Sequence, residues 1–249
     1  MARRTNKREV PRCLPLLAGW AGLAAASALL APAVAGARPV VWHEREAAVA
    51  SRVAAATVGA RKAVRFVVRP GDSPVRSGER TERVASVSTT GAVPGTTQVY
   101  RWATRFPADF TPVPDSTWNI FTQWHGSAAD GCHPNIALQV NTALQPARLR
   151  LQVRGGGLGP GCEPAQSRSW DFAPLERGRW EDFRLAVRWS EEPGGGFVEL
   201  RLGGAVVVPR TPLATLYTGQ RAYLKQGYYR APSALTSTVF QTGVSVVAS

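Results

Sequence analysis

Apolar and polar residues alternate with a period of two over much of the chain after residue 62, as is typical of β-strands with one buried face. The clearest segment is 180–189, where Phe183, Leu185 and Val187 share one face and Arg184 lies on the other. The same pattern predicts further strands at 64–68, 98–106, 118–125, 135–141, 148–154, 197–202, 205–208, 222–230 and 236–247. With no convincing helix after residue 62, it predicts an all-β fold, an antiparallel sandwich or barrel.

The first 37 residues depart from this pattern. A basic run that ends at Arg12 precedes an apolar, Ala- and Leu-rich stretch at 13–31, and small residues follow at 33–37. A basic head, an apolar middle and a small-residue end predict a secretory signal peptide over 1–37, and hence a secreted, extracellular protein. A retained signal anchor is the alternative, because the apolar stretch approaches the roughly 20 residues that span a bilayer.

Residues 38–62 form an alanine-rich lead-in with no clear period. Within it, 44–61 fits either a helix or a mobile tether. We find neither an internal repeat nor a second-domain linker, so 63–249 is predicted to be one β domain. The glycine-rich residues 155–161 are expected to form a flexible loop.

The chain is basic, with a formal net charge of +13 at pH 7. Without the predicted signal peptide the net charge is about +9, which still attracts polyanions. An exported protein meets acidic polysaccharide more often than nucleic acid, although basic composition also serves solubility alone. We therefore expect a monomer that binds an acidic polysaccharide and, after signal cleavage, neither nucleic acid nor a membrane.

Three cysteines are present, and Cys13 is lost with the signal peptide. Cys132 and Cys162 remain, and an even pair in an exported chain predicts a disulfide. It would close a loop of about 30 residues and stabilise the fold by roughly 3–4 kcal/mol in the chain-entropy model. No C-x-x-C or H-x-x-x-H spacing supports zinc, and we expect neither a metal nor a cofactor.

Candidate chemistry lies on the predicted strand 118–125. Side chains alternate along a strand, so Gln123 and His125 are expected to share one face with Asn119. The opposite, core face would carry Trp118, Ile120 and Trp124. A solvated histidine on an open sheet face is the alternative interpretation of this pattern.

A second set lies on strand 222–230. Tyr223, Lys225 and Tyr229 are expected on one face, with Gly227 between the last two. A glycine in mid-strand leaves open space that admits a ligand. An aromatic core strand is the alternative, but a central lysine argues against full burial.

A third segment, 78–84, places Arg80 and Glu82 on one face. These two residues form either an ion pair on a solvated surface or a functional pair. In the functional pair, the Glu82 carboxylate orients Arg80 so that Arg80 binds the carboxylate of a ligand.

Taken in order, these segments resemble the signature set of the β-jelly-roll polysaccharide lyases, which include alginate lyases, glucuronan lyases and heparin lyase I-like enzymes. Gln123-Trp124-His125 resembles the family's Q-x-H strand. Residues 223–230 resemble its Y-x-K-x-G-x-Y strand and end in Arg230, as in the glucuronan lyase and heparin lyase I-like branches.

Arg80-Thr81-Glu82 resembles the start of the alginate lyases' R-[ST]-E-L-R strand. Arg83 and Val84 stand where Leu and Arg are usual, which leaves the family's second arginine without a clear counterpart.

The resemblance implies a concanavalin-like β-jelly-roll sandwich of two antiparallel sheets and cleavage of a uronate-containing polysaccharide by β-elimination. Gln123 and Arg80 would hold the uronate carboxylate, and Glu82 would orient Arg80. His125 would join that neutralisation or act as the base, and Tyr229 would supply the acid, or both base and acid in a syn elimination. The expected substrate-binding residues are Lys225, Tyr223, Asn119 and Arg230.

The modest chain length favours a non-sulfated polyuronate such as glucuronan or alginate, with a sulfated glycosaminoglycan as the alternative. A glycoside hydrolase would need two carboxylates flanking the scissile bond. Glu181 and Asp182 point to opposite faces, and Glu191 and Glu192 lie in a predicted turn. A non-catalytic, lectin-like module for acidic glycans would need no Tyr229.

Overall fold

Two antiparallel β-sheets pack face to face and enclose the apolar faces of the alternating strands. The computed structural model describes residues 36–75, 77–128 and 131–248, which belong to one compact unit. The predicted signal peptide, apart from its last two residues, lies outside the described residues. No helix in the described part of the chain is long and apolar enough to cross a bilayer.

The described residues form sixteen strands. In chain order these are β1 (Arg38–Pro39), β2 (Trp42–Ala47), β3 (Val53–Val58), β4 (Arg61–Val68), β5 (Glu79–Ala85), β6 (Thr97–Arg105), β7 (Asn119–Gly126), β8 (Ile136–Asn141), β9 (Arg148–Leu158), β10 (Pro164–Pro174), β11 (Trp180–Arg188), β12 (Phe197–Leu202), β13 (Ala205–Pro212), β14 (Ala222–Arg230), β15 (Ser237–Gln241) and β16 (Ser245–Ala248). The short helical segments are the 3-10 turns Ala50–Arg52 and Pro160–Cys162 and the helix α1 (Val87–Thr90).

One sheet has nine strands, in the order β13-β12-β11-β6-β15-β4-β3, with β16 also paired to β6 and β1 to β16. The other has seven, in the order β10-β9-β8-β7-β14-β5-β2. All these strand pairs in the described residues are antiparallel. The prediction of a two-sheet, all-β sandwich is confirmed.

Aromatic side chains from both sheets form the centre of the core. Trp102 stacks on Phe183 with ring centroids 5.2 Å apart, and Trp124 meets Tyr100 edge-on at 4.9 Å. Such pairs add roughly 0.5–1.5 kcal/mol beyond the area they bury. This core covers only the inner face of the seven-stranded sheet. The outer face of that sheet does not pack against the core.

The lead-in is part of both sheets, and the expectation of a helix or tether over 44–61 is wrong. β2 pairs with β5, while β3 and β4 form a hairpin with Val58 opposite Arg61. Gly59 takes the left-handed conformation (φ 61°) that the two-residue turn requires. Pairing to existing strands therefore outweighs the helix propensity of the alanines.

The glycine-rich segment is also more regular than expected. β9 continues through Leu158, and a strand that the sequence did not predict, β10, pairs back along it. β10 is largely polar and lies at the edge of the sheet, where the apolar alternation that marks a strand is weak.

A β-bulge in β7 alters which side chains share a face. The register with β8 shifts between Ile120 and Thr122, so alternation is broken at Phe121, which enters the core. As a result, Trp118 and Ile120 face away from the core, contrary to prediction. Asn119 is fully buried instead, where its amide donates to the Val113 carbonyl at 3.0 Å. The assignment of Asn119 to substrate binding is therefore wrong.

Arg230 is likewise structural. Its guanidinium is fully buried, donates twice to Glu79 Oε2 at 3.1 and 2.9 Å, and donates to Ser237 Oγ at 2.9 Å. It lies on the opposite face of β14 from Tyr229 and holds β14 to β5 through Glu79 and to the start of β15 through Ser237. The predicted substrate-binding role of Arg230 is therefore wrong.

Gly227 does not leave open space for a ligand. A Cβ at this position would lie 2.0 Å from the Thr81 carbonyl oxygen, and Gly227 has a φ of 151°. The glycine lets the backbones of β14 and β5 approach closely.

We predict that Gly227→Ala lowers the free energy of unfolding by about 3 kcal/mol, since the added methyl group forces the two strands apart and strains the backbone. Urea denaturation measures the loss. Gly243→Ala is the control, because a Cβ there meets nothing within 4 Å. Equal stability of the two variants would contradict the close-approach role.

Candidate active site

The outward face of the seven-stranded sheet carries a groove of about 640 Å³. β2, β5, β14, β7, β8 and β9 form its floor, and the loops around Ser77, Trp118 and Cys132 form its walls. Six of the predicted site residues line it: Arg80, Gln123, His125, Tyr223, Lys225 and Tyr229.

The position of β14 between β5 and β7 brings these residues together. Across the strands, Lys225 faces Gln123, Tyr229 faces Arg80, and Tyr223 faces His125. The site is therefore a set of cross-strand neighbours on rigid strands, not a set of loop residues.

The two tyrosines occupy different ends of this set. In the register with β7, Tyr223 lies opposite His125 and Tyr229 lies opposite Ile120, and the irregularity between Gln226 and Tyr229 brings the two tyrosines closer along β14 than a regular strand would. Tyr223 lies beside His125, with ring centroids 5.6 Å apart. Tyr229 lies beside Arg80, whose guanidinium carbon is 3.7 Å from the centre of the Tyr229 ring.

The Tyr229 end is held by the loop before β5. The Tyr229 hydroxyl shares a hydrogen bond of 3.0 Å with Ser77 Oγ, and its ring meets Trp118 edge-on at 5.2 Å. The hydroxyl thus lies at the groove wall with a hydrogen-bonding partner already in place.

Glu46 is a site residue that sequence analysis missed. From β2, its carboxylate accepts a 2.6 Å hydrogen bond from Lys225 Nζ and a 3.0 Å bond from Arg80 Nη1. Although burial opposes ionisation, these two cations hold the pKa of Glu46 below its ordinary value. Because residues 44–61 fit a helix or a tether by sequence, no strand pattern points to this residue.

Lys225 is only 4% exposed. Its burial opposes the charged form, but the carboxylates of Glu82 and Glu46 hold the pKa of Lys225 above its ordinary value. The ammonium group is therefore charged and held in place rather than free to swing to a ligand.

Glu82 contacts Gln123 more closely than it contacts Arg80, the residue it was expected to orient. Gln123 Nε2 donates to Glu82 Oε1 at 2.6 Å, whereas Arg80 Nη1 lies 3.6 Å from Glu82 Oε2. Complete burial raises the pKa of Glu82. Glu82 thus fixes the Gln123 amide, and Glu46 shares the positioning of Arg80.

His125 is oriented by the backbone. Its Nδ1 lies 3.0 Å from the Gly126 carbonyl oxygen, which only accepts, so Nδ1 carries the proton and Nε2 has a free lone pair. Burial lowers the pKa of His125, and the Lys225 charge acts in the same direction. The ring is therefore neutral and suited to act as a base at neutral pH.

Comparison with known families decides what kind of protein carries this groove. The family model described as "Polysaccharide lyase" matches residues 18–245, nearly the whole chain. The chain belongs to this polysaccharide lyase family. No curated protein matches it at a significant level.

Solved structures match the fold of this polysaccharide lyase. Endo-β-1,4-glucuronan lyase from the fungus Trichoderma reesei is 17% identical, with 78% of this chain and 86% of that chain covered and a TM-score of 0.60. Alginate lyase Aly36B is 12% identical, with 84% of this chain and 92% of that chain covered and a TM-score of 0.54. Alginate lyase A1-II′ of polysaccharide lyase family 7 is 16% identical, with 81% of this chain and 85% of that chain covered and a TM-score of 0.52. At these identities the likeness shows a shared β-jelly roll, as the sequence predicted. By its family, the protein is a carbon–oxygen lyase acting on polysaccharides.

The predicted disulfide of the lyase is confirmed, and it lies at one end of the groove. Cys132 is bonded to Cys162, which ties the groove wall to the turn between β9 and β10. The described residues contain no cluster of three or more His, Cys, Asp or Glu side chains suited to a metal ion.

We predict that Glu46→Gln lowers kcat/KM of the lyase roughly ten- to hundredfold, because Lys225 and Arg80 lose the carboxylate that positions them. Steady-state kinetics measure the loss. Glu44→Gln is the matched control, since Glu44 lies on the same strand but is exposed. If both variants keep wild-type kinetics, Glu46 does not position the site.

Proposed function

We propose that this lyase cleaves a 4-linked polysaccharide containing uronate residues by β-elimination, and that its substrate is a non-sulfated polyuronate such as glucuronan or alginate. The observation that carries the proposal is the pairing, in one groove, of a carboxylate-binding set with a neutral, oriented histidine. The glucuronan and alginate lyases among the structural matches support the same substrate class.

The first requirement of the reaction is to neutralise the uronate carboxylate. Arg80 and the Gln123 amide both line the groove and are fixed by Glu46 and Glu82. In the proposal they bind the carboxylate and stabilise the enolate-like charge that forms when the C5 proton leaves.

The second requirement is a base. His125 Nε2 carries the free lone pair, so His125 removes the C5 proton in this proposal. The electrons of the C5–H bond form the C4=C5 double bond, and the C4–O4 bond breaks.

The third requirement is an acid that protonates the departing O4. We assign this role to Tyr229, whose hydroxyl lies at the groove wall beside Arg80. Tyr223 is a second candidate because it is the tyrosine next to His125 and because burial raises its pKa, which keeps it a protonated phenol.

The groove charges favour a non-sulfated substrate. Arg80 and Lys225 are already compensated by Glu46 and Glu82, so the centre has little excess positive charge for a densely sulfated chain. We also propose that the protein is secreted, since its disulfide suits an oxidising compartment and its first residues have the signal-peptide pattern.

We expect the purified protein to release unsaturated uronate products, detected by ultraviolet absorbance, from polyglucuronate or alginate and not from neutral glucans. The panel should include heparin and heparan sulfate. Absorbance growth on a sulfated polymer alone would overturn the substrate class. New reducing ends without absorbance would instead indicate hydrolysis, with Glu46 and Glu82 as the groove carboxylates.

Tyr229→Phe is predicted to bind the polymer as well as the wild type but to lose turnover by roughly 10²–10⁴-fold, because only the proton donor is removed. Tyr223→Phe is the matched variant on the same strand face. Loss of turnover in Tyr223→Phe alone would transfer the acid role to Tyr223, and full activity of both variants would exclude a tyrosine acid.

The pH profile should report His125. The base works in its neutral form, so kcat/KM should fall as the pH drops through the His125 pKa, which burial places below the ordinary value of about 6.5. If kcat/KM instead fell with a midpoint above about pH 6.5, the assignment of His125 as the base would be contradicted. The same low-pH fall of kcat/KM in the His125→Gln variant would also contradict it.

A further inference from the structure

Arg154 lies in the groove, and none of the described acidic residues is its partner. It is half-buried on β9, and its Nη1 donates to the Pro134 carbonyl oxygen at 3.3 Å. No carboxylate in the described part of the chain forms an ion pair with it, whereas Arg80 and Lys225 both contact Glu46. Burial lowers the pKa of Arg154, as expected of a guanidinium partly removed from water without a counter-ion.

The strand register fixes where Arg154 lies relative to the proposed base. Gln123, Ala137 and Gln152 form one row across β7, β8 and β9. β7 and β9 run in the same direction, so Arg154, two residues after Gln152, is level with His125, two residues after Gln123. The two positions are separated by two strand spacings, about 10 Å.

The wall beside Arg154 is rigid. Tyr217 Oη donates to the His133 carbonyl at 2.9 Å, Arg154 bonds to Pro134, and Cys132 is held by the disulfide. These three consecutive anchors restrain the segment 132–134. The guanidinium is therefore held in one place, which suits a planar group that binds a carboxylate through two parallel hydrogen bonds.

We propose that Arg154 forms an accessory subsite that binds the carboxylate of a second uronate residue, away from the residue that is cleaved. Gln152 and Gln139, whose amides lie 3.5 Å apart on the same floor, contact the sugar hydroxyls between the two carboxylate sites. A sugar residue in a 4-linked chain is about as long as one strand spacing, so a polymer running across β7, β8 and β9 reaches Arg154 within a few residues. This inference rests on the proposed function and adds a requirement for chain length.

The test uses size-defined oligoglucuronates and oligomannuronates, from dimers upward, with wild type and Arg154→Gln. In the wild type, kcat/KM should rise at the length that first reaches Arg154. In the variant that rise should be lost, through a KM about tenfold higher, while kcat and the kinetics of the shortest cleavable oligomers stay unchanged.

Arg188→Gln is the matched control. Arg188 lies on the nine-stranded sheet and also donates to a backbone carbonyl, that of Gly195, at 3.1 Å. The Arg188→Gln variant loses the same positive charge outside the groove, so its kcat/KM should depend on oligomer length as in the wild type.

Two results would overturn the subsite: wild-type KM values for Arg154→Gln at every length, or the same loss at every length, dimers included. If the wild type cleaves none of the oligomers, the proposed function fails. Calorimetric titration of the uncleaved oligomers into wild type and Arg154→Gln then still decides the subsite, since binding needs no turnover.

Discussion

Arg80 and Lys225 place two positive charges in side chains that are only 6% and 4% exposed. Buried charges persist only when partners compensate for the lost water, and here the partners are Glu46 and Glu82. The four residues come from three strands, so the order β14-β5-β2 is needed to bring them together. The same compensation fixes Gln123 through Glu82, which makes the groove floor one connected network.

Departures from regular β-geometry surround this network. The bulge in β7 and the register shift between Gln226 and Tyr229 in β14 lie at the same level of the sheet. Together they turn Trp118 and Ile120 into the groove and let Tyr229 pack between Trp118 and Arg80. Such irregularities redirect side chains near functional sites, where a regular strand would bury them.

The sequence predicted the features that follow from alternation. The all-β class, most of the strands and the groove positions of Gln123, His125, Tyr223 and Lys225 follow from that period. The disulfide follows from an even cysteine pair in a chain with a signal-peptide pattern, and the two-sheet jelly roll from the family resemblance. Asn119 was misplaced because a one-residue bulge reverses the faces, and no residue in the sequence marks that bulge. Arg230 was misplaced because the family motif outweighed strand parity, which already put it on the core face.

The edge strand beside the network was missed for another reason. β2 has little apolar alternation, because its outward side chains bind charges rather than pack, and its pairing partner lies more than thirty residues further along the chain. Long-range pairing of a polar segment leaves no local pattern. Glu46 therefore became visible only in the folded arrangement.

The bond from Lys225 to Glu46 joins residues 179 positions apart. Contacts of such sequence separation form late, since a long stretch of chain must first be ordered to bring them together. During synthesis Glu46 is made early, and its carboxylate can bind Lys225 only after β14 has been made. The ionic floor of the groove can therefore be completed only once nearly the whole domain exists, which couples acquisition of activity to completion of folding.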